Sequence, residues 1–233
     1  MNDLLIVLTM QNNAGFIEKF RDQVLSMHHD IAPVLLVDDG SSDESAELLA
    51  ELEPLHYIIH QEPLGYGGVF ISALTYARDH QYSSMMVFPI SASLDTTTIH
   101  EMLTMMQTHH IVSGNRLASH AGSTYFDDSV TLYRGLAGKL SGVTGYELED
   151  PFSPIKGFDL SQMDKFELTE FGEGFFIQLL VQAAYHGLMV SELQCTVDDI
   201  SLMKELDMHQ ENSVYYHELL TSEQYLYPID RLH

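Results

Sequence analysis

Short apolar runs alternate with amphipathic stretches almost from the first residue, and that alternation predicts the fold. Leu4–Leu8 reads as a strand and Phe16–Met27 as a helix. Val34–Val37 reads as a second strand that runs into the turn Asp38-Asp39-Gly40-Ser41. A helix is expected over Glu44–Leu52, where Ser41 and Glu44 have the spacing of a capping box. Strands at Tyr57–Ile59 and Met85–Phe88 alternate with helices at Gly68–Arg78 and Thr97–Met106, and Ile111–Val112 opens a further strand. These strands are apolar throughout, the mark of a mostly parallel sheet covered by helices on both faces. The expected class is therefore α/β. After Arg116 the pattern loosens: Leu132–Leu140 and Gly174–His186 look helical, and Leu188–Leu193 looks like a late strand. No internal repeat or low-complexity linker divides the chain. The expectation is one domain over residues 1–200, with an acidic, aromatic-rich C-terminal extension over 201–233.

Composition narrows the function classes. The chain has 233 residues, 45% of them hydrophobic, which is ordinary for a globular core. No apolar run approaches the ~18–20 residues that span a bilayer. The start, MNDLLIVLTMQNN, lacks a basic segment and reads as a buried first strand rather than a signal peptide. A single cysteine, Cys195, excludes an internal disulfide and makes a cytoplasmic location the default. Acidic residues number 34 against 10 basic ones, a formal net charge of -24. Such a field repels nucleic-acid phosphates and anionic lipid headgroups, so no nucleic-acid partner and no autonomous membrane binding are expected.

The strongest local signal is Val34-Leu-Leu-Val-Asp-Asp-Gly-Ser-Ser-Asp43. In an open parallel sheet, ligands sit at the carboxyl ends of the strands. Asp38 and Asp39 there can accept hydrogen bonds from a ribose or a base N–H. The alternative is an acidic strand-to-helix loop in which Asp acts only as a cap. Gly65-Tyr-Gly-Gly68, between a strand and a helix, allows close backbone approach, and a helix N-terminus favours phosphate. Alone it is equally a plain turn.

Taken in order, VDDGSSD, the GYGG turn opening a helix and the apolar strand after it resemble family 2 glycosyltransferases, and most closely the dolichol-phosphate mannosyltransferase-like branch. Ser113-Gly-Asn-Arg116 looks like that branch's "GSR" strand end, Asp150-Pro-Phe-Ser-Pro-Ile-Lys156 like its "DPxSGFR" segment, and Phe175–Val190 like the helix and strand that follow. The resemblance spans roughly residues 4–195. It implies the GT-A fold, a nucleotide-diphospho-sugar donor, and an acceptor that is a glycan or a lipid phosphate. It also implies a nucleoside held by Asp38 and Asp39 with the backbone of Thr9–Gln11, over a floor shaped by Gly65 and Gly67.

The departures from the family pattern bear on mechanism. The metal-binding Asp-x-Asp after the Met85–Phe88 strand falls on Ser91-Ala92-Ser93. Neutral hydroxyls are poor ligands for Mg²⁺ or Mn²⁺. The expectation is at most a weakly bound Mg²⁺ or Mn²⁺, with Asp95 as a weak candidate ligand, so that the site either works without a metal or has stopped catalysing. The family's early "YNE" becomes Gln11-Asn12-Asn13, the acidic position of the late helix becomes Gln178, and the "SGFR" glycine becomes Pro154. Arg116, Arg134, Lys139, Lys156 and Lys165 are half of all basic residues, gathered in about a fifth of the chain. Either they scatter over the surface against the acid load, or Arg116 and Lys156 carry the diphosphate in a metal's place. Asp150 is the candidate base for an inverting attack by an acceptor hydroxyl; a lipid phosphate would need none. His28-His29 and His109-His110 sit at helix ends, Met102, Met105 and Met106 have helical spacing as core, and Cys195 reads as a buried thiol. Two readings follow: a glycosyltransferase working without a tightly bound metal, and a catalytically silent binding module that serves a protein partner in glycan assembly.

Overall fold

The structure is a computed structural model that describes residues 3–52, 55–92, 95–117, 127–172 and 174–196, with the side chains of 127–132 left aside. The C-terminal extension and Ser93 lie outside the described residues. Seven strands form one sheet: β1 (Leu4–Met10), β2 (Val34–Asp38), β3 (His56–Ile59), β4 (Ser84–Pro89), β5 (Ile111–Asn115), β6 (Lys156–Asp159) and β7 (Val190–Gln194). Their order is β3-β2-β1-β4-β6-β5-β7. Every pairing is parallel except those of β6, which runs antiparallel to both β4 and β5.

All seven residues of β1 and all five of β2 are buried, as continuous apolar runs in the middle of a doubly covered sheet should be. β3 is an edge, with Tyr57 and Ile59 exposed. The helices are α1 (Ala14–Asp30), α2 (Ser45–Ala50), α3 (Gly65–Asp79), α4 (Thr96–Met106), α5 (Asp127–Thr144) and α6 (Phe175–Tyr185). α1 turns a narrow stripe inward through Ile17, Val24 and Met27. α6 is apolar nearly all round and buried on most sides, packing against α3 and α5. Phe70 of α3 stands 4.7 Å from Phe158 of β6 and 4.9 Å from Phe175 of α6, ring centre to ring centre. Cys195 is buried just beyond β7, and Met102 is buried under α4, with Met105 and Met106 packed against the same core.

Two local expectations are corrected. The Ser41–Glu44 capping box does not form, because Glu44 makes no side-chain cap at α2. Ser41 Oγ instead donates to Asp38 Oδ1 and accepts from Asn12 N–H at 2.8 Å. Asp43 does the capping, and for the neighbouring helix as well: it accepts from Ser45 N–H at 3.0 Å and from Ala14 N–H, the first residue of α1, at 3.2 Å. Second, β6 was not expected as a strand, because Lys156 and Asp159 bracket a run of only two other residues.

The GYGG turn is shaped by packing. A Cβ on Gly67 would stand 1.9 Å from Glu170 O and 2.8 Å from Phe171 Cα, so the 169–172 strap lies directly on the start of α3. Gly65 has φ 80°, and its Cβ would meet Phe171 O at 2.8 Å. Gln178 on α6 latches the strap by accepting from Thr169 N–H and Glu170 N–H at 2.9 and 3.1 Å. Gly67→Ala should therefore cost about 1–3 kcal/mol or more through overpacking. Gly138→Ala, on α5 with nothing within 4 Å, should stabilise by about 0.5–1 kcal/mol. Urea unfolding of the two variants checks this contrast; equal effects would contradict the packing role of Gly67.

Candidate functional site

The carboxyl ends of β1, β2 and β4 meet the start of α3 around a cavity of ≈ 280 Å³. Among its lining residues are Thr9 near the end of β1 and Gln11 just after it, Asp39 after β2, Gly65 and Tyr66 of α3, and Ser91 after β4. Five of the expected site residues, Thr9, Gln11, Asp39, Gly65 and Ser91, are thus brought to one wall.

Asp39 organises that wall. Its Oδ1 accepts from Leu64 N–H at 2.8 Å and lies 2.8 Å from His60 Nδ1, while Oδ2 accepts from Gly65 N–H at 2.8 Å. Gln11 Nε2 donates to the Asp39 carbonyl at 3.0 Å. The loops after β1 and β2 are further zipped together: Ser42 N–H donates to Asn12 Oδ1 at 2.8 Å and Asn13 N–H to Ser45 Oγ at 3.1 Å. Asn12 holds φ 53° in this arrangement, a conformation Asn tolerates better than most residues. Burial pushes the Asp43 carboxyl up, and the hydrogen bonds from Ser45 and Ala14 outweigh it, leaving it below the usual carboxylate range.

Several expected residues are placed elsewhere. Asp38 is fully buried and does not line the cavity; successive side chains leave a strand on opposite faces, so Asp38 and Asp39 cannot both face it. Its Oδ1 takes the Ser41 hydroxyl, and its Oδ2 is buried without a hydrogen-bond partner. Gly67 serves the strap rather than the cavity, and Gly67 N–H and Gly68 N–H both donate to Phe171 O, at 2.7 and 3.2 Å. With Gly65 N–H on Asp39, the amides at the start of α3 are mostly spent, so this helix end does not offer the phosphate cradle that the glycines implied. Ser93 lies outside the described residues. Asp95 caps α4, accepting from Thr98 N–H at 2.7 Å; that bond and the Thr98 side chain hold its carboxyl low. It is absent from the cavity wall.

The larger correction concerns Arg116, Asp150 and Lys156. Arg116 is 2% exposed and Asp150 0%. They form a fork: Nε to Oδ2 at 2.7 Å and Nη2 to Oδ1 at 2.9 Å, with Arg116 N–H adding a third bond at 2.9 Å. Tyr133 O–H also donates to Asp150 Oδ1. Burial pushes the Asp150 carboxyl up, but the Arg116 charge and these bonds leave it below its ordinary value. The carboxylate and its guanidinium partner are thus both enclosed and spent on one another, and neither lines the cavity. Lys156 Nζ donates to Ser113 Oγ at 2.8 Å and Pro151 O at 3.0 Å, and lies 5.2 Å from the centre of the Phe176 ring. Glu192 of β7 completes the knot by accepting from Asp150 N–H at 2.7 Å and Glu149 N–H at 2.9 Å. The group fastens the 149–156 loop to β5, β6 and β7. Of the other clustered cations, Arg134 and Lys139 are exposed on α5, and Lys165 Nζ donates to Gln162 Oε1.

The histidine pairs serve the backbone. His28 Nδ1 accepts from Val34 N–H at 3.1 Å and His110 Nδ1 from Met189 N–H at 2.9 Å. Among the described residues no group of three or more His, Cys, Asp or Glu is arranged to hold a metal ion. Among the described residues the donor set at the cavity is hydroxyls, amides and the single carboxylate of Asp39, a poor match for a hard divalent ion, which takes several anionic oxygens. Sequence reasoning missed His60 and Tyr66. Tyr66 stands inside the GYGG motif, whereas His60 gives no signal until its contacts with Asp39 and Ser72 are known.

Comparison with known proteins follows this geometry. Glucosyl-3-phosphoglycerate synthase from Mycobacterium tuberculosis in complex with UDP matches with a TM-score of 0.67 at 13% identity, over 94% of this chain and 80% of that one. The same enzyme with Mn²⁺, UDP-glucose and phosphoglyceric acid matches at 0.65 and 14% identity, over 91% and 78%. The fold is GT-A. Within it, residues 5–86 match the model of glycosyl transferase family 2. That stretch runs from β1 into β4 and carries the cavity wall except for Pro89 and Ser91. No curated protein sequence matches the chain.

The buried knot has a measurable signature. Burial pushes the Lys156 amine down from 10.5 to about 7. Between about pH 7 and 10.5 the unfolded chain then holds a proton that the folded one lacks, so this group makes stability rise with pH. Cys195, pushed up to about 12 by burial, acts in the opposite sense above its ordinary value. The clean window is therefore about pH 7–8.5. There, Lys156→Met should flatten the stability profile by up to about 1.4 kcal/mol per pH unit. Parallel profiles for wild type and variant, measured by urea unfolding, would show that Lys156 keeps its proton.

Proposed function

We propose that this chain binds a nucleoside diphosphate sugar through its nucleoside in the cavity beside Asp39, and acts as a glycosyltransferase without a tightly bound metal. The observation that carries this reading is the coincidence of the cavity with the segment that matches the family model. The nucleoside would lie between the Thr9–Gln11 backbone and Tyr66, with Asp39 Oδ2, which accepts one protein donor, free to take a second.

Without Asp150 as a base, the acceptor this site suits is one that brings an already ionised oxygen as its nucleophile. A lipid phosphate does so: its oxygen attacks the anomeric carbon, the bond from that carbon to the diphosphate breaks, and the nucleoside diphosphate leaves with inverted configuration at the sugar. The order of motifs that resembles the dolichol-phosphate mannosyltransferase-like branch supports the same acceptor class. No helix among the described residues is long and apolar enough to cross a membrane, so a membrane-borne acceptor would be reached through a protein partner, from a cytoplasmic location.

A second reading, a catalytically silent binding module, is favoured by one observation. Among the described residues, the cavity lining contains no Lys or Arg to receive the leaving diphosphate. Turnover separates the two readings: release of UDP from UDP-sugar with a polyprenyl phosphate acceptor supports the enzyme, and binding without release supports the module.

Salt and chelator test the metal-free site itself. In calorimetric titration with UDP, affinity should change less than about threefold, under ~1 kcal/mol, when Mn²⁺ is replaced by EDTA. Because the protein carries a net charge of -24 and the described residues of its cavity wall include no cation, added salt should leave affinity unchanged or raise it by screening repulsion. Ser91→Asp should raise Mn²⁺ dependence. Wild-type binding that collapses in EDTA, or falls steeply with salt, would overturn this account of the site.

A further inference from the structure

Asp39 is tied to a relay that leads away from the cavity. His60, just beyond β3, lies 2.8 Å from Asp39 Oδ1 through Nδ1 and 2.9 Å from Ser72 Oγ through Nε2. Its side chain and that of Asp39 are each 9% exposed. The carboxylate can only accept, so Nδ1 carries the proton, and in the neutral ring Nε2 is left to accept the Ser72 hydroxyl. The order Ser–His–Asp is that of a hydrolase triad, but Ser72 sits well inside α3. The backbone amides around it are spent on the helix, which leaves no oxyanion hole facing its Oγ. The relay therefore serves Asp39 rather than attacking a substrate.

Its geometry shows what it does there. Ser72 follows Gly65 by seven residues, two helical turns, so both lie on one face of α3, about 10 Å apart. Asp39 holds the first end of that span through Leu64 N–H and Gly65 N–H. His60 holds the second end through Ser72 and joins it back to the same carboxylate. The α3 residues that line the cavity, Gly65, Tyr66 and Val69, all fall between the two attachments.

We infer that His60 is a positioning residue for the cavity, bracing α3 against β2 through Ser72 and fixing the carboxylate of Asp39. This inference rests on the nucleotide-binding reading of the cavity. Without the brace, Oδ1 loses one of its donors, the carboxylate is held by the Leu64 and Gly65 amides alone, and the wall formed by Tyr66 and Val69 loosens. Asparagine at position 60 retains a short amide donor for Asp39 and gives up only the link to Ser72.

The test uses the full chain, UDP as probe, and two readouts. In His60→Ala, exchange of the Leu64 and Gly65 amides with solvent should accelerate about tenfold or more, while amides of β5 keep their wild-type rates. UDP affinity should fall about tenfold in the same variant, and His60→Asn should recover it to within about threefold of wild type. Ser72→Ala, which leaves Asp39 and His60 in place, should give a smaller loss that is not additive with His60→Ala. It also keeps the test open if His60→Ala does not fold. Unchanged exchange at Leu64 and Gly65 in the histidine and serine variants would overturn the brace. Accelerated exchange with unchanged UDP affinity would overturn its role in the cavity. Wild-type protein that does not bind UDP would count against the nucleotide reading alone, since the exchange rates judge the brace without any ligand.

Discussion

The carboxylate of Asp39 is the interaction on which the candidate site depends. It gathers two backbone amides at the start of α3 and the ring of His60, while the carbonyl of the same residue receives Gln11. One residue thereby joins the ends of β1 and β2 to α3, and sets the distance between the walls of the cavity. Its oxygens are met by backbone amides and the ring of His60. That matters in a chain with a net charge of -24, where every further carboxylate raises the cost of holding an anionic ligand.

The two halves of the sheet divide the work. The half from β1 to β4 supplies the cavity and carries the family match. The half built from β5, β6 and β7 carries a sealed polar knot of Arg116, Asp150, Tyr133, Lys156 and Glu192. A buried ion pair of this kind adds little net stability compared with an apolar core, yet removing one partner costs about 3–5 kcal/mol. It fixes how the 149–156 loop and the antiparallel β6 join an otherwise parallel sheet. Arg116, Asp150 and Lys156 are therefore structural members of that half and do not line the cavity.

Much of the fold was legible because its strands are continuous apolar runs separated by helices with one buried stripe. β6 escaped, since a four-residue strand that starts at a buried lysine breaks the rule that buried runs are apolar. The strand-end rule gathered Thr9, Gln11, Asp39, Gly65 and Ser91, and all five line the cavity. Asp38 could have been separated from Asp39 by the alternation of side chains along β2. The assignment of Arg116 and Lys156 to a diphosphate failed for a reason no local pattern contains: a cation looks available until its partner is known, and Asp150 lies 34 positions from Arg116. Gly67 misled in the same way, because the strap that requires it comes about a hundred residues later.

The central claim is that a nucleoside enters beside Asp39, and backbone chemical shifts of isotope-labelled protein titrated with UDP test it most directly. The account predicts that the largest shifts fall on the amides of Thr9–Asn13, Asp39, Gly65, Tyr66 and Ser91, with those of β7 and the Arg116–Asp150 knot little changed. Shifts centred on the knot, or none along the cavity wall at saturating UDP, would contradict it.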